Sequence, residues 1–190
     1  PDLKDDLLKG KINIFHCSSC SHHALMPSPL LYHDEDKKLM ISFSPCEDNI
    51  VKNQLFSNIK EASKESGELK KLEGYSLRFV WQYNNLLEKI LLSDFGLWDK
   101  AIELLKLMIL TQEPEKSENR VCMFGKFEND EIEFMVQDKK ENQVYISKVP
   151  KSSYDSIAEQ LLLSGAQPYS FDWELVDIDY AASHLNGLNN

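Results

Sequence analysis

Arginine is almost missing from this chain. Of 21 basic residues only Arg78 and Arg120 are arginines, and 31 acidic residues leave a formal net charge of −10. A nucleic-acid-binding protein needs a basic face to displace counterions from phosphates, so this balance argues against a nucleic-acid partner. Lys60, Lys64, Lys70 and Lys71 form one local cluster, which reads more simply as the solvated face of a helix. Long apolar runs are missing as well. The longest, Leu104-Leu105-Lys106-Leu107-Met108-Ile109-Leu110, carries a lysine and falls well short of the ~20 residues of a membrane span. It reads as the buried side of a helix, and no membrane association is expected. The seven glycines are scattered, with none in a phosphate-cradling loop, and there is no Gly-x-Ser-x-Gly nucleophile elbow. Four cysteines, Cys17, Cys20, Cys46 and Cys122, are too few and too dispersed for a disulfide scaffold. With no signal-peptide pattern, a reducing, cytoplasmic setting is the expectation.

What the chain does have is enough apolar content, 42% of 190 residues, for a sizeable core. Leu3, Leu7 and Leu8 mark a short helix before Gly10, and Lys11 to Phe15 alternates like a strand. Leu30 to His33 and Leu39 to Phe43 flank a charged loop, a hairpin signal. A helix is expected from about Asp48 to Ser66, with Ile50, Val51, Leu55 and Ile59 as its apolar stripe. Tyr75 to Trp81 reads as a strand. Asn84 and Asn85 can cap the next helix, and Leu97 to Leu110 is another. Gln112 to Asn119 is the clearest linker, containing Pro114. Beyond it, Arg120–Phe127, Glu131–Val136 and Gln143–Val149 predict an antiparallel meander. Helices over Tyr154–Leu163 and from about Asp177 follow, the last with Tyr180, Ala181 and Leu185 inward. The class is α+β: a ribbon-like β unit over 1–45, a helical middle over 46–111, and a meander with helices over 120–190. The middle and the meander are expected to pack together.

The densest chemistry is Phe15-His16-Cys17-Ser18-Ser19-Cys20-Ser21-His22-His23. A redox pair sits between a strand and a helix whose N-terminus acidifies the thiol, and Ser21 to Pro29 has no helical periodicity. A Cys-x-x-Cys turn after a strand suits zinc, which takes four ligands. Cys17 and Cys20 supply two, with His16, His22, His23, His33 and Cys46 as further donors; free thiols are the plain alternative. His33-Asp34 resembles a base and its orienter, but neighbours in a strand point to opposite faces. Arg78, Glu88, Lys89, Asp99, Glu103 and Lys106 read as a salt-bridge network before a catalytic set, with Glu103 and Lys106 spaced to pair on one helix face. Trp81, Trp98 and Trp173 are expected in or at the edge of the core. Asp172, Asp177 and Asp179 are expected as caps and dipole partners.

The run LLKGKINIFHCSSCSHHALMPSPLLYHDEDKKLMISFSP resembles the second half of a CpXC domain. That bacterial and archaeal family is named for two Cys-Pro-x-Cys motifs and has no assigned activity. Pro29 to Asp34 and Lys38 to Ile41 match its pattern, which continues through Tyr75 to Val80, Asn85 to Ile90, Gly96 to Asp99 and Ile102 to Lys106. The middle proline is replaced, giving Cys-Ser-Ser-Cys, and the first motif has no counterpart. Either that motif is lost or, as we expect because Pro1 is not preceded by a methionine, the chain is a fragment or processed form. The resemblance then implies a four-cysteine zinc ribbon in the intact protein, with Cys17 and Cys20 as half of it. The expected function is a non-enzymatic binding or scaffold module with a protein partner. The alternative is an enzyme of unfamiliar type using the middle-helix charges or a Cys/His-bound metal.

Overall fold

The computed structural model describes residues 3–188, and the chain divides into two compact units. The first runs to Leu87 and includes Phe171–Trp173; the second holds Glu88–Ser170 and the chain from Glu174 onward. Among the described residues there are seven α-helices and eight strands in three small sheets, an α+β fold.

In the first unit, helix α1 (Leu3–Leu8) buries Leu7, while Leu3 is 71% exposed. The expected leucine face therefore reduces largely to one side chain. Strands β1 (Ile14–His16) and β2 (His23–Leu25) form a hairpin with Phe15 opposite Ala24. The strand expected from Lys11 starts later because Asn13 takes a left-handed φ of 61°, which breaks an extended chain. Strands β3 (Leu30–Asp34) and β4 (Leu39–Phe43) pair antiparallel as expected. The Asp34 carboxylate accepts the Lys37 N–H at 3.0 Å and so fastens the loop between them.

Helix α2 (Asn49–Glu65) crosses from β4 to β5 (Ser76–Val80), and β4 and β5 pair in parallel from Leu39↔Ser76 to Phe43↔Val80. Asp48 caps α2, accepting the N–H groups of Ile50 and Val51 at 2.8 and 3.0 Å. The expected stripe on α2 holds only toward its C-terminal end. Ile50 is 72% exposed and no residue of α2 is fully buried; Ile59 packs as expected, together with Phe56, on Tyr75, Leu77 and Trp173. Trp173 donates its indole N–H to Ser63 Oγ at 2.8 Å. Beside it Asp172 pairs with Lys60 at 3.4 Å and Lys64 at 3.2 Å, so half of the lysine cluster is paired rather than purely solvated. Helix α3 (Tyr83–Asp94) starts at Tyr83, which places Asn84 and Asn85 in its first turn rather than at its cap.

The second unit contains α4 (Asp99–Leu110), α5 (Pro114–Ser117), strands β6 (Arg120–Glu128), β7 (Glu131–Asp138) and β8 (Gln143–Pro150), then α6 (Lys151–Leu163) and α7 (Ile178–Leu188). The expected linker thus holds a helical turn. The three strands form the expected antiparallel meander in the order β6-β7-β8. Asn129 and Asp130, both at positive φ, make the two-residue turn between the first two. β7 alternates strictly: Ile132, Phe134 and Val136 are buried and face Ile102, Leu105, Leu161 and Ala181 in one core. Burial of each such side chain contributes about 1.5–3 kcal/mol. Asp177 caps α7 through the N–H groups of Asp179 and Tyr180, both at 3.1 Å. Leu185, expected inward, lies outside the described side chains.

Candidate functional site

The cysteine turn closes the β1–β2 hairpin. The Cys17 N–H donates to the His22 carbonyl at 2.9 Å and the Ser21 N–H to the Cys17 carbonyl at 2.9 Å, with Ser21 at a φ of 55°. This brings the two thiols together. The Ser19 N–H, then the Cys20 thiol and N–H, point at the Cys17 sulfur and hold its pKa below the ordinary thiol value. After Cys20 the chain returns as β2, so the pair does not lead into a helix as a redox motif would. His16 and His23 face each other across the hairpin with ring centroids 4.4 Å apart. Among the described residues no three His, Cys, Asp or Glu side chains come together as a metal cage. Two thiolates in one turn fit half of a tetrahedral zinc site; the described residues do not complete it. All four cysteines are free of disulfides.

The charged residues of the middle helices assemble inside the second unit. Lys89 lies 3.1 Å from Asp99 and 3.3 Å from Glu103, and it donates to the Val176 carbonyl at 2.5 Å. Lys106 lies 2.5 Å from Glu88 and 3.1 Å from Glu103. Glu88 also accepts the Phe124 N–H at 2.6 Å. All five side chains are buried. Burial alone would depress the Lys106 ammonium, but the Glu103 and Glu88 carboxylates hold it above the ordinary lysine range. Each carboxylate is matched by a lysine. Arg78, expected with this set, belongs to the first unit, where it is 1% exposed and its guanidinium donates to the Leu77 carbonyl at 3.2 Å. His33 is on β3, exposed, and shares a hydrogen bond of 3.2 Å with the Tyr75 hydroxyl.

A third place was not legible in the sequence. At the carboxyl ends of the parallel strands β4 and β5 lies an open cleft of about 740 Å³. Phe43, Pro45, Cys46 and Glu47 enter it from the end of β4, and Trp81, Gln82, Tyr83 and Asn84 from the end of β5. Pro27 and Lys52 complete the lining. Tyr83 donates its hydroxyl to the Leu7 carbonyl at 3.1 Å and meets Phe43 edge-on at 5.9 Å. Lys52 Nζ stands 6.0 Å above the Trp81 ring. Trp81, expected in or at the edge of the core, is half-buried and lines this cleft. Trp173 is buried as expected. Trp98 is half-buried, with an indole N–H that has no partner among the described residues.

The N-terminal half is a cysteine hairpin followed by a β-α-β unit. The family model described as CpXC protein matches residues 1–106, more than half of the chain. The chain belongs to the CpXC family. No curated protein and no solved structure matches it. No helix among the described residues is long and apolar enough to cross a membrane.

Proposed function

We propose that this CpXC chain is a non-enzymatic binding module that docks a protein partner on the C-terminal meander. The observation carrying this reading is the solvent-facing side of that sheet. Register places Met123, Met135 and Ile146 in one cross-strand row, and Val121, Gln137 and Val144 in the next. Met135, Val144 and Ile146 are exposed, the last two by 58% and 57%. β8 is also the last strand of its sheet, so one row of its backbone donors and acceptors is open to an added strand. A partner presenting an extended, apolar-alternating segment fits such a surface. The carboxylates of Glu88, Asp99 and Glu103, each engaged by lysine, offer no free general base, which favours binding over catalysis.

Comparing the proteins retained by the wild-type chain with those retained by Met135→Lys/Ile146→Glu tests the reading. The expected result is a specific partner lost from the variant and kept by a control variant at an exposed charged site outside the meander, such as Glu159→Gln on α6. Retention of every partner by the double variant overturns it. Cys17 and Cys20 would hold a structural zinc with two further donors from outside the cysteine turn. Metal analysis showing no zinc and all thiols reactive would remove that part of the proposal.

A further inference from the structure

We propose that the cleft at the carboxyl ends of β4 and β5 binds a planar aromatic small molecule carrying one anionic group. This site is separate from the meander surface and stands without it. The volume, about 740 Å³, lies within the 300–1,000 Å³ typical of small-molecule sites. Open sheets with parallel strands place their ligand crevices at this end of the strands.

The walls determine the ligand. Trp81 and Tyr83, backed by the buried Phe43 and flanked by Pro27 and Pro45, favour a planar ring over a flexible chain. The wall is held in advance: Phe43 is 1% exposed, Tyr83 is tied to Leu7, and Trp81 packs on Phe79 at 4.5 Å between ring centroids. A preorganised wall lowers the ordering cost of binding. Lys52 is the cation of the lining and makes no ion pair among the described residues, so its ammonium is available to an anion. Its position over the indole face already supplies the cation that ring attracts, which disfavours a cationic ligand there. Glu47, on the same rim, opposes a polyanion and limits the ligand to a single negative charge. The Gln82 and Asn84 amides, with no side-chain hydrogen bond among the described residues, can orient it.

The test uses indole-3-carboxylate as probe, neutral 3-methylindole as its uncharged counterpart and tetramethylammonium as the cation. Each is titrated into the ¹⁵N-labelled chain and followed by amide chemical shifts. The expected result is saturable binding of the carboxylate, with shifts confined to residues 43–52 and 81–84. Lys52→Gln should weaken the carboxylate about tenfold, the loss of one charge-assisted contact, and leave 3-methylindole unchanged. Trp81→Leu should weaken both rings. Absence of saturable shifts at millimolar probe, equal carboxylate affinity in Lys52→Gln, or tighter binding of tetramethylammonium overturns the proposal. Lys52 lies on a helix with no buried residue, so its substitution leaves a folded protein to measure.

Discussion

Lys106 reaches back from α4 to hold Glu88 of α3 at 2.5 Å while also holding Glu103, one turn earlier on its own helix, at 3.1 Å. Glu88 in turn takes the Phe124 N–H of β6, so one lysine ties two helices and a strand through buried charge. Removing it leaves the buried Glu88 without its cation and Glu103 with Lys89 alone. Breaking a buried pair in this way costs about 3–5 kcal/mol. Lys106→Met should therefore lower the urea midpoint of the second unit far more than an exposed lysine change such as Lys148→Met. Equal midpoints for the two variants would show that the cluster does not bear on stability.

Cys122 makes the alkaline limb of stability predictable. Burial pushes its thiol up to about 12, against an ordinary 9.0. The folded protein keeps the proton while the unfolded chain loses it above 9.0, so stability falls as pH rises through that window. Lys106, held above the ordinary lysine range, contributes fully below that range and loses its contribution only beyond it. Thermal midpoints should decline from about pH 9 upward. Cys122→Ala should flatten the first part of this decline.

The same chemistry orders the thiols by reactivity. Cys17 is drawn below its ordinary value by the Ser19 N–H and its neighbours, whereas Cys122 is buried and held neutral. The thiolate is the nucleophile. Limited iodoacetamide treatment at neutral pH should label Cys17 before Cys122, and Cys122 should react only once the chain unfolds. Peptide mass spectrometry reads the order, and early labelling of Cys122 would contradict its burial.

Much of the second unit could be read from residue pattern alone. Alternation in Glu131–Asp138 and the Asn129-Asp130 turn specify a hairpin locally, so the meander needed no tertiary information. Asp177 likewise reads as a cap. Helix α4 shows where pattern fails. Lys100, Glu103 and Lys106 are all buried in it, and periodicity places charged residues outside unless their partners are known. Ile50 and Val51 fail in the opposite sense, since apolar spacing does not say whether a partner surface exists. The cleft was hidden for a third reason. Its wall comes from segments near residues 27, 43–52 and 81–84, which are far apart in sequence, and the parallel pairing of β4 with β5 brings the last two together. A strand followed by a helix start, twice over, was the one signal of it: Phe43 leading to Asp48, and Val80 leading to Tyr83.

Asp138 ties the acid limb to the meander. Its carboxylate accepts the N–H groups of Lys140 and Glu141, both at 3.0 Å, and lies 3.3 Å from Arg120 Nε. The Glu141 N–H above all, with Arg120 and the Lys140 N–H, holds its carboxyl below the ordinary value. A depressed carboxyl gives stability that is complete above the ordinary range and is lost as pH falls through the lowered value. Asparagine can still accept the two N–H groups, but it brings no charge to Arg120. Asp138→Asn should thus keep the β7–β8 turn while removing this part of the acid dependence. Asp138→Ala removes both, and amide exchange at Lys140 and Glu141 should quicken in it alone. If the two variants exchange equally fast, Arg120 and not the turn is what Asp138 secures.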